Sequence, residues 1–188
     1  MHNAVFRSIE KLAGRWTDLL VVINKEDRDA AVKHRIMPED RVRLIPGIGI
    51  DLTSFNRANT SAVDIASKRE EFLPNDRASL LLSVGELNPE KRHDDTVKAI
   101  AALKRDDVHL AIAGTGPLHD ELLAEAARLG VADQIHLLGW RKDVRELVVA
   151  ADALVHASSR EGLPRSVMEA MALETLVVGA AARGTTDL

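Results

Sequence analysis

Short apolar runs alternate with amphipathic segments along the second part of this chain. The apolar runs predict strands, and the segments whose apolar positions recur at helical spacing predict helices. Strict alternation of strands and helices predicts a parallel sheet covered by helices on both faces, which is an α/β, Rossmann-like fold. The predicted strands are 80–84, 109–113, 135–138, 153–157 and 176–179, and the helices between them are 94–103, 118–129, 144–150 and 164–173.

The first part of the chain predicts a separate set of elements. Residues 51–77 are mostly polar, and residues 184–188 at the other end resemble the opening of one more helix. We therefore expect the chain to be a fragment of a longer protein. The predicted helices are 6–16, 25–34 and 63–72, and the predicted strands are 18–23 and 42–45.

Composition excludes several classes of function. Hydrophobic residues make up 46% of the 188, which suffices for a packed core. With 3% aromatics, no Tyr and a net charge of −4, we expect no nucleic-acid partner. The absence of Cys excludes disulfides, thiolate metal sites and a cysteine nucleophile. No signal peptide and no 18-residue apolar run are present, so we expect no transmembrane segment and a cytoplasmic location, with the inner face of the membrane as an alternative.

The most informative chemical pattern lies between the last two predicted strands. Glu161 falls in the loop at the carboxyl end of a strand, and Glu169 falls about one turn into the next helix. Pro164 suits the first turn of that helix, where its missing N–H costs nothing. Ligands of open α/β sheets bind at this end of the strands, and the free amides of Gly162 and Leu163 suit a phosphate. A carboxylate on each side could accept hydrogen bonds from sugar hydroxyls.

Two other loops that follow predicted strands have both a functional and a structural interpretation. Gly85 lets the backbone approach a ligand, and Lys91 offers a positive charge to phosphate, although a solvated loop explains both residues. The segment 113–117 lacks the third glycine of the dinucleotide fingerprint, which favours a tight strand-to-helix turn that could still border a ligand.

The loop at 139–143 is equally ambiguous. Trp140 is a candidate to cover a base, and Arg141 or Lys142 is a candidate to meet a polar ligand. A packed Trp140 and a helix cap at Asp143 explain the sequence equally well. The seven His residues show no metal-binding spacing. His93 is followed directly by Asp94 and Asp95 and is interpreted as part of a solvated helix start. No Gly-x-Ser-x-Gly elbow supports an acyl-transfer triad.

Taken together, these residues resemble the retaining glycosyltransferases of the GT-B fold, group four, which use nucleotide-sugar donors. The stretch from Glu161-Gly162-Leu163-Pro164 to Glu169 resembles the Glu-x7-Glu motif of that family. Residues 45–51 with Phe55 are similar to its interdomain crossing segment, and 84–91 to its first donor loop. The subgroup with Arg-Glu-Gly-Leu-Pro-Arg commonly makes capsular or exopolysaccharide.

The resemblance implies a role for each matching residue. Glu161 would be the catalytic residue and hold donor-sugar hydroxyls near the reacting carbon, and Glu169 would accept hydrogen bonds from the ribose. The amides of Gly162 and Leu163 would hold the diphosphate. The other implied donor-binding residues, from the first donor loop, are Gly85 and Lys91.

One position departs from the family pattern. Many members have Arg where this chain has Glu86, and a carboxylate there cannot hold phosphate. Arg92 or Arg165 could compensate, and Arg141 is a further candidate. The resemblance implies neither a metal nor a cofactor, because basic groups and a helix start would neutralise the leaving diphosphate.

We therefore expect the donor-binding portion of a glycosyltransferase that transfers a sugar from a nucleotide-diphosphate sugar to a hydroxyl acceptor with retention, in polysaccharide biosynthesis. Residues 1–55 would be a remnant of the acceptor domain with the crossing segment, and residues 56–188 an incomplete nucleotide-sugar-binding domain. The expected partners are the donor and a sugar or lipid-linked sugar acceptor, with self-association through the exposed N-terminal segment. The alternative is an inactive nucleotide-sugar-binding module left by truncation; an epimerase of the same build and an assembly protein that kept only the fold are further alternatives.

Overall fold

The computed structural model describes residues 2–45, 47 and 49–188, which fall into two compact units. The first unit contains the described residues up to Gly49 together with Glu161–Leu163 and Arg183–Leu188. The second contains Ile50–Arg160 and Pro164–Ala182. Pro46 and Ile48 of the predicted crossing segment lie outside the described residues. The assignment of residues 1–55 and 56–188 to acceptor and donor domains stays a prediction, because compactness does not reveal a domain's role.

The first unit is built around a short parallel strand pair. Leu20 pairs with Val42 and Val22 with Leu44, and the small core beneath them includes Met37. Helix α2 begins where the side chain of Asn24 accepts a hydrogen bond from the N–H of Asp27 at 2.8 Å. The elements are α1 (His2–Ala13), β1 (Leu20–Val22), α2 (Lys25–Lys33) and β2 (Val42–Leu44), with 3₁₀ turns at Gly14–Trp16, Glu39–Arg41 and Thr185–Asp187.

The second unit has the predicted alternation of strands and helices. All strands and helices predicted between residues 80 and 179 are confirmed, each within one residue at either end. The 3₁₀ turn Arg57–Asn59 precedes them. The elements are α3 (Ala62–Glu70), β3 (Ser79–Val84), α4 (His93–Leu103), β4 (Val108–Ala113), α5 (His119–Arg128), β5 (Ile135–Gly139), α6 (Val144–Ala150), β6 (Ala153–His156), α7 (Arg165–Ala172) and β7 (Leu176–Gly179).

The five strands of the second unit form one parallel sheet in the order β5-β4-β3-β6-β7. The chain runs outward from β3 through β4 to β5, then returns to the other side of β3 with β6 and β7. This order is that of mononucleotide-binding sheets, and the point where it reverses, between β3 and β6, is where such sheets bind ligands.

Helices cover both faces of this sheet, which explains why its strands are mostly apolar. On one face, α6 and α7 place Leu147 and Val167 against Leu80 and Leu82. On the other face, α4 and α5 bury their apolar sides against β4, where Leu110 and Ile112 are fully buried. The expectation of an α/β fold with a helix-covered parallel sheet is confirmed.

Candidate functional site

The loop after β3 brings two of the predicted donor-binding residues together. The N–H of Gly85 donates to the carbonyl of Ala113 at 3.0 Å, which holds the start of the loop against β4. A Cβ added to Gly85 would lie 3.2 Å from Cδ and 3.3 Å from Cε of Lys91. The aliphatic part of Lys91 therefore lies directly over Gly85.

The loops after β3 and β4 pack backbone against backbone. A Cβ on Gly114 would lie 1.8 Å from the carbonyl oxygen of Gly85, and one on Gly116 would lie 2.5 Å from that of Leu87. The N–H of Leu87 also donates to the carbonyl of Thr115 at 2.9 Å. The two glycines at 114 and 116 are therefore required by the close approach of these loops, as the tight-turn interpretation of 113–117 predicts.

The interpretation of His93 as part of a solvated helix start is wrong. His93 is 3% exposed, while Asp94 and Asp95 beside it are partly exposed. Its Nε2 lies 3.2 Å from the carbonyl oxygen of Glu86, and its Nδ1 lies 3.2 Å from Oγ of Ser83. Since a carbonyl only accepts, Nε2 carries the proton and Nδ1 accepts from the Ser83 hydroxyl. Burial lowers the pKa of His93, so the imidazole is neutral and ties the loop to β3.

The loops after β3 and β6 are joined at the point where the strand order reverses. The N–H of Ser159 donates to the carbonyl of Glu90 at 2.9 Å, and its hydroxyl donates to the same carbonyl at 3.2 Å. These loops leave neighbouring parallel strands at their carboxyl ends. The crevice expected of this fold is therefore bordered by the loop that carries Gly85 and Lys91.

Glu169 lies on α7 as predicted, one turn from the start of the helix. The helix begins at Arg165, so Pro164 is its N-cap residue and not part of the first turn. The Glu169 side chain is 14% exposed, and its carboxylate accepts from Nε of Arg165 at 2.8 Å. A nearly buried carboxylate with one partner retains oxygen lone pairs for further hydrogen bonds.

The segment Glu161–Leu163 belongs to the first compact unit, although the chain runs directly from it into α7. The N–H of Glu161 donates to the carbonyl of Arg183 at 3.1 Å. Among the described residues, the N–H groups of Gly162 and Leu163 donate to no backbone carbonyl. These two amides are the donors that the sequence assigns to a phosphate, and that role stays a prediction.

Two of the arginines considered as replacements for the missing phosphate ligand are held by carboxylates. Arg92 pairs with Asp95 on the first turn of α4, and Arg165 pairs with Glu169. Arg92 and Arg165 are both exposed, so neither pair is buried. Glu86 itself is exposed and accepts a hydrogen bond from the Asn88 amide at 3.0 Å.

In the loop after β5, neither the packed Trp140 nor the helix cap at Asp143 that could explain its sequence is present. Trp140 is 69% exposed, so it is not a packed side chain, and Asp143 makes no side-chain cap to α6. Asp143 instead pairs with Arg141 at 2.6 Å and with Lys68 at 2.8 Å, and Arg141 also pairs with Glu71 at 2.9 Å. These hydrogen bonds raise the pKa of Arg141 and lower that of Asp143. This network engages Nε and Nη2 of Arg141.

Two residues that were not singled out from the sequence contact the segment Glu161–Leu163, which we call the Glu161 loop. Asn24 donates to the carbonyl of Gly162, and Arg183 donates to that of Glu161. Asn24 carries a sequence signal only as a helix cap, since it precedes a run with acidic residues in its first turn. Arg183 follows the last predicted strand by four residues, and nothing in the local sequence marks it.

The described residues hold no group of three or more His, Asp or Glu side chains arranged to bind a metal ion. Within the same residues, every helix is too short or too polar to cross a lipid bilayer.

Comparison with known proteins agrees with the geometry of the second unit. The family described as Glycosyl transferases group 1 matches residues 64–188. The chain is 30% identical over 186 residues to EpsD of Bacillus subtilis (strain 168), whose name assigns it to the glycosyltransferases; the match covers 98% of this chain and 48% of EpsD. It is 29% identical over 174 residues to the lipopolysaccharide glucosyltransferase WaaG of Escherichia coli (strain K12), covering 90% of this chain and 45% of WaaG.

Solved structures show the same fold. HepE of Anabaena in complex with UDP and glucose matches with a TM-score of 0.85 at 24% identity, over 96% of this chain and 49% of HepE. The WaaG crystal structure matches with a TM-score of 0.78 at 24% identity, over 89% of this chain and 46% of WaaG. The chain spans about half the length of the curated relatives it matches. Since the family match covers about two thirds of its residues, the chain belongs to the glycosyl transferases group 1 family of GT-B fold, with relatives in polysaccharide and lipopolysaccharide biosynthesis.

Proposed function

We propose that this chain is the donor-binding portion of a glycosyltransferase that moves a sugar from a nucleotide-diphosphate sugar to a hydroxyl acceptor, with retention, in polysaccharide biosynthesis. One observation supports it most. The loops after β3 and β6 are joined by Ser159 and Glu90 where the strand order reverses, and the first of them presents Gly85 under Lys91. A backbone without a side chain beside a lysine at that point suits a diphosphate.

Each half of the donor has its own proposed ligands. Lys91, with the amides of Gly162 and Leu163, holds the diphosphate, and Glu169 accepts hydrogen bonds from the ribose hydroxyls. Glu161 holds the sugar hydroxyls near the reacting carbon. The nearly buried Glu169 suits a ribose, because a desolvated carboxylate makes stronger hydrogen bonds than one in water.

The reaction that follows needs little covalent chemistry from the protein. The bond from the sugar carbon to the diphosphate oxygen breaks, the acceptor oxygen forms a bond to the same carbon, and the proton of the acceptor hydroxyl passes to the leaving diphosphate. Negative charge grows on the leaving diphosphate. Lys91 and the two amides stabilise this charge, and stabilisation of growing charge is usually the largest part of a catalytic effect.

The names of similar proteins support the substrate class. The HepE structures contain UDP, and one contains UDP-glucose. A 27% identical relative from Escherichia coli is named a galactosyltransferase that acts from UDP-galactose on a sugar linked to diphosphoundecaprenol. We accordingly propose a nucleotide-sugar donor and a sugar or lipid-linked sugar acceptor for this protein, with residues 1–55 belonging to the acceptor domain and residues 56–188 to the donor domain.

Titration calorimetry with UDP, GDP and ADP tests the proposal. We expect weak binding of one of them, and no heat with any at millimolar concentration would contradict it. Glu169→Ala should weaken nucleotide binding by about 10- to 150-fold, the worth of a hydrogen bond to a charged group, whereas Glu161→Ala should leave it unchanged because the sugar is absent. Glu125→Ala is the matched control, since Glu125 pairs with an arginine on its own helix as Glu169 does.

A further inference from the structure

The Glu161 loop is held by side chains that are distant from it in sequence. Nδ2 of Asn24 donates to the carbonyl of Gly162 at 3.0 Å, across 138 residues of chain. Nε of Arg183 donates to the carbonyl of Glu161 at 3.2 Å, while the N–H of Glu161 donates to the carbonyl of Arg183 at 3.1 Å. Two successive carbonyls and one N–H of the loop are therefore fixed within the first unit.

Asp27 connects the two residues that hold the loop. One of its carboxylate oxygens accepts from Nδ2 of Asn24 at 2.8 Å, and the other pairs with Nη1 of Arg183 at 3.1 Å. We call Asn24, Asp27 and Arg183 the loop clamp. Because the same carboxylate orients the amide and the guanidinium, the clamp acts as one hydrogen-bonded network.

Asn24 is 1% exposed, and its hydrogen bonds explain why an asparagine occupies the position. Its Oδ1 accepts from the N–H of Asp27 and caps α2, a task that Ser, Thr or Asp performs as well. Only an amide adds two N–H donors, and both are used here, one by Gly162 and one by Asp27. The cap alone does not require an amide, whereas the two hydrogen bonds that Nδ2 donates to Gly162 and Asp27 do.

The loop also packs against the backbone of Gly184 and against the side chain of Ile23, which follows β1. A Cβ on Gly184 would lie 2.4 Å from the carbonyl oxygen of Gly162, and Gly184 has a φ of +81° that favours glycine. A Cβ on Gly162 would lie 2.5 Å from Cδ1 of Ile23, the residue before Asn24. The loop therefore has little freedom to move while the clamp is intact.

We propose that Asn24 and Arg183 are positioning residues for Glu161, which set its backbone so that its carboxylate meets the donor sugar. This inference rests on the proposed function, since it names what holds the residue assigned to the sugar. It also assigns a role to Asn24, which lies before residue 64, where the family match begins.

The test compares a nucleotide with its sugar nucleotide on the 188-residue chain. UDP and UDP-glucose, or the GDP or ADP pair if the wild type prefers it, are titrated into wild type, Asn24→Ser and Arg183→Met. Serine keeps the cap of α2 and removes the donor to Gly162. Asn24→Ser should lose the sugar nucleotide about three- to ten-fold more than the nucleotide, the worth of one neutral hydrogen bond. Arg183→Met should lose it by at least as much, because the bond that it removes has a charged donor.

A combination with Glu161→Gln shows whether the effect passes through Glu161. In that background, Asn24→Ser should no longer change the ratio of the two affinities. Ser61→Ala, which removes the capping box of α3 in the second unit, is the control for loss of a helix cap and should leave the ratio unchanged. Circular dichroism and hydrogen exchange over 158–164 report folding and loop order, and exchange should accelerate only in the clamp variants.

Each outcome is distinct. If the ratio of the two affinities is unchanged in folded Asn24→Ser and Arg183→Met, the positioning role is overturned. The proposed function then stands as long as the wild type binds the ligands. A changed ratio that persists in the Glu161→Gln background also overturns it, because the clamp would then act elsewhere. A wild type that binds neither ligand overturns the proposed function, and the positioning role falls with it.

Discussion

Gly114→Ala is expected to be among the most damaging small substitutions in the second unit. The added Cβ would lie 1.8 Å from the carbonyl oxygen and 2.8 Å from the carbonyl carbon of Gly85. Both atoms are backbone, so no side-chain rotation can relieve the overlap. The loops after β3 and β4 must separate, and the proposed phosphate site at Gly85 and Lys91 must change shape with them.

The size of the effect follows from that geometry. Overpacking in a well-packed interior costs about 1–3 kcal/mol, and a clash between two backbone segments belongs at the upper end of this range. For a chain of this length, each kcal/mol shifts the melting temperature by roughly 2–4 °C. We therefore expect Gly114→Ala to melt about 6–12 °C below the wild type and to lose nucleoside diphosphate binding.

Gly85→Ala is the matched comparison, because its Cβ would meet only the flexible side chain of Lys91 at 3.2 Å. It should melt within about 4 °C of the wild type, since the lysine can shift at a cost of under about 1 kcal/mol, yet it should bind nucleotide more weakly. Thermal circular dichroism and calorimetry measure both quantities. The reasoning is refuted if Gly114→Ala melts within 2 °C of the wild type, or if the two variants melt alike.

Three other predictions concern charge and turnover. Asp143→Asn should lower the free energy of unfolding in urea by about 1–2 kcal/mol; because its partners lower the pKa of Asp143, the loss should shrink as the pH falls below 3.8, and a pH-independent loss would contradict this. Nδ1 of His109 lies 3.1 Å from Nε2 of His136, and burial lowers the pKa of both histidines. The free energy of unfolding should therefore fall as the pH drops below 6.5, by up to about 1.4 kcal/mol per pH unit for each histidine, and it should fall less steeply in His136→Leu. Urea midpoints at pH 7.5 and 5 measure this fall, and an equal fall in the wild type and the variant would refute the prediction. The 188-residue chain alone should neither hydrolyse nor transfer a donor sugar, because transfer needs donor and acceptor in one geometry and the relatives are about twice as long; turnover by a monomer, as judged by light scattering, would disprove this.

The helices and strands of the second unit were predictable because local sequence determines them. Strands buried on both faces are mostly apolar, as in 108–113, where His109 is the one polar side chain, and the helices between them are amphipathic, so both patterns appear in the sequence. The order of the strands is not a local property. It was available only as a consequence of the fold class, and it places the Gly85 loop beside the loop that follows β6.

The predictions that failed concern side chains whose partners lie on other elements. His93 looks solvated beside two aspartates, but Ser83 on β3 and the Glu86 carbonyl satisfy both of its nitrogens in the interior. Asp143 looks like a helix cap, but its carboxylate pairs with Arg141 and Lys68 and not with the backbone N–H groups of α6, because charged partners make the stronger hydrogen bonds. Spacing along the chain carries no information about such partners.

The two glutamates of the Glu-x7-Glu pattern depend on different parts of the chain for their positions. Glu169 is fixed by α7 and by Arg165, within the second unit. The backbone of Glu161 is fixed by Arg183 and, through Gly162, by Asn24, within the first unit. A nucleotide without a sugar therefore tests Glu169 and the proposed diphosphate ligands but not the carboxylate of Glu161, whereas a sugar nucleotide also tests that carboxylate and the residues that position it. In the ratio of sugar-nucleotide to nucleotide affinity, substitutions at Asn24 should therefore resemble substitutions at Glu161 and not those at Glu169, a similarity that the sequence pattern by itself does not suggest.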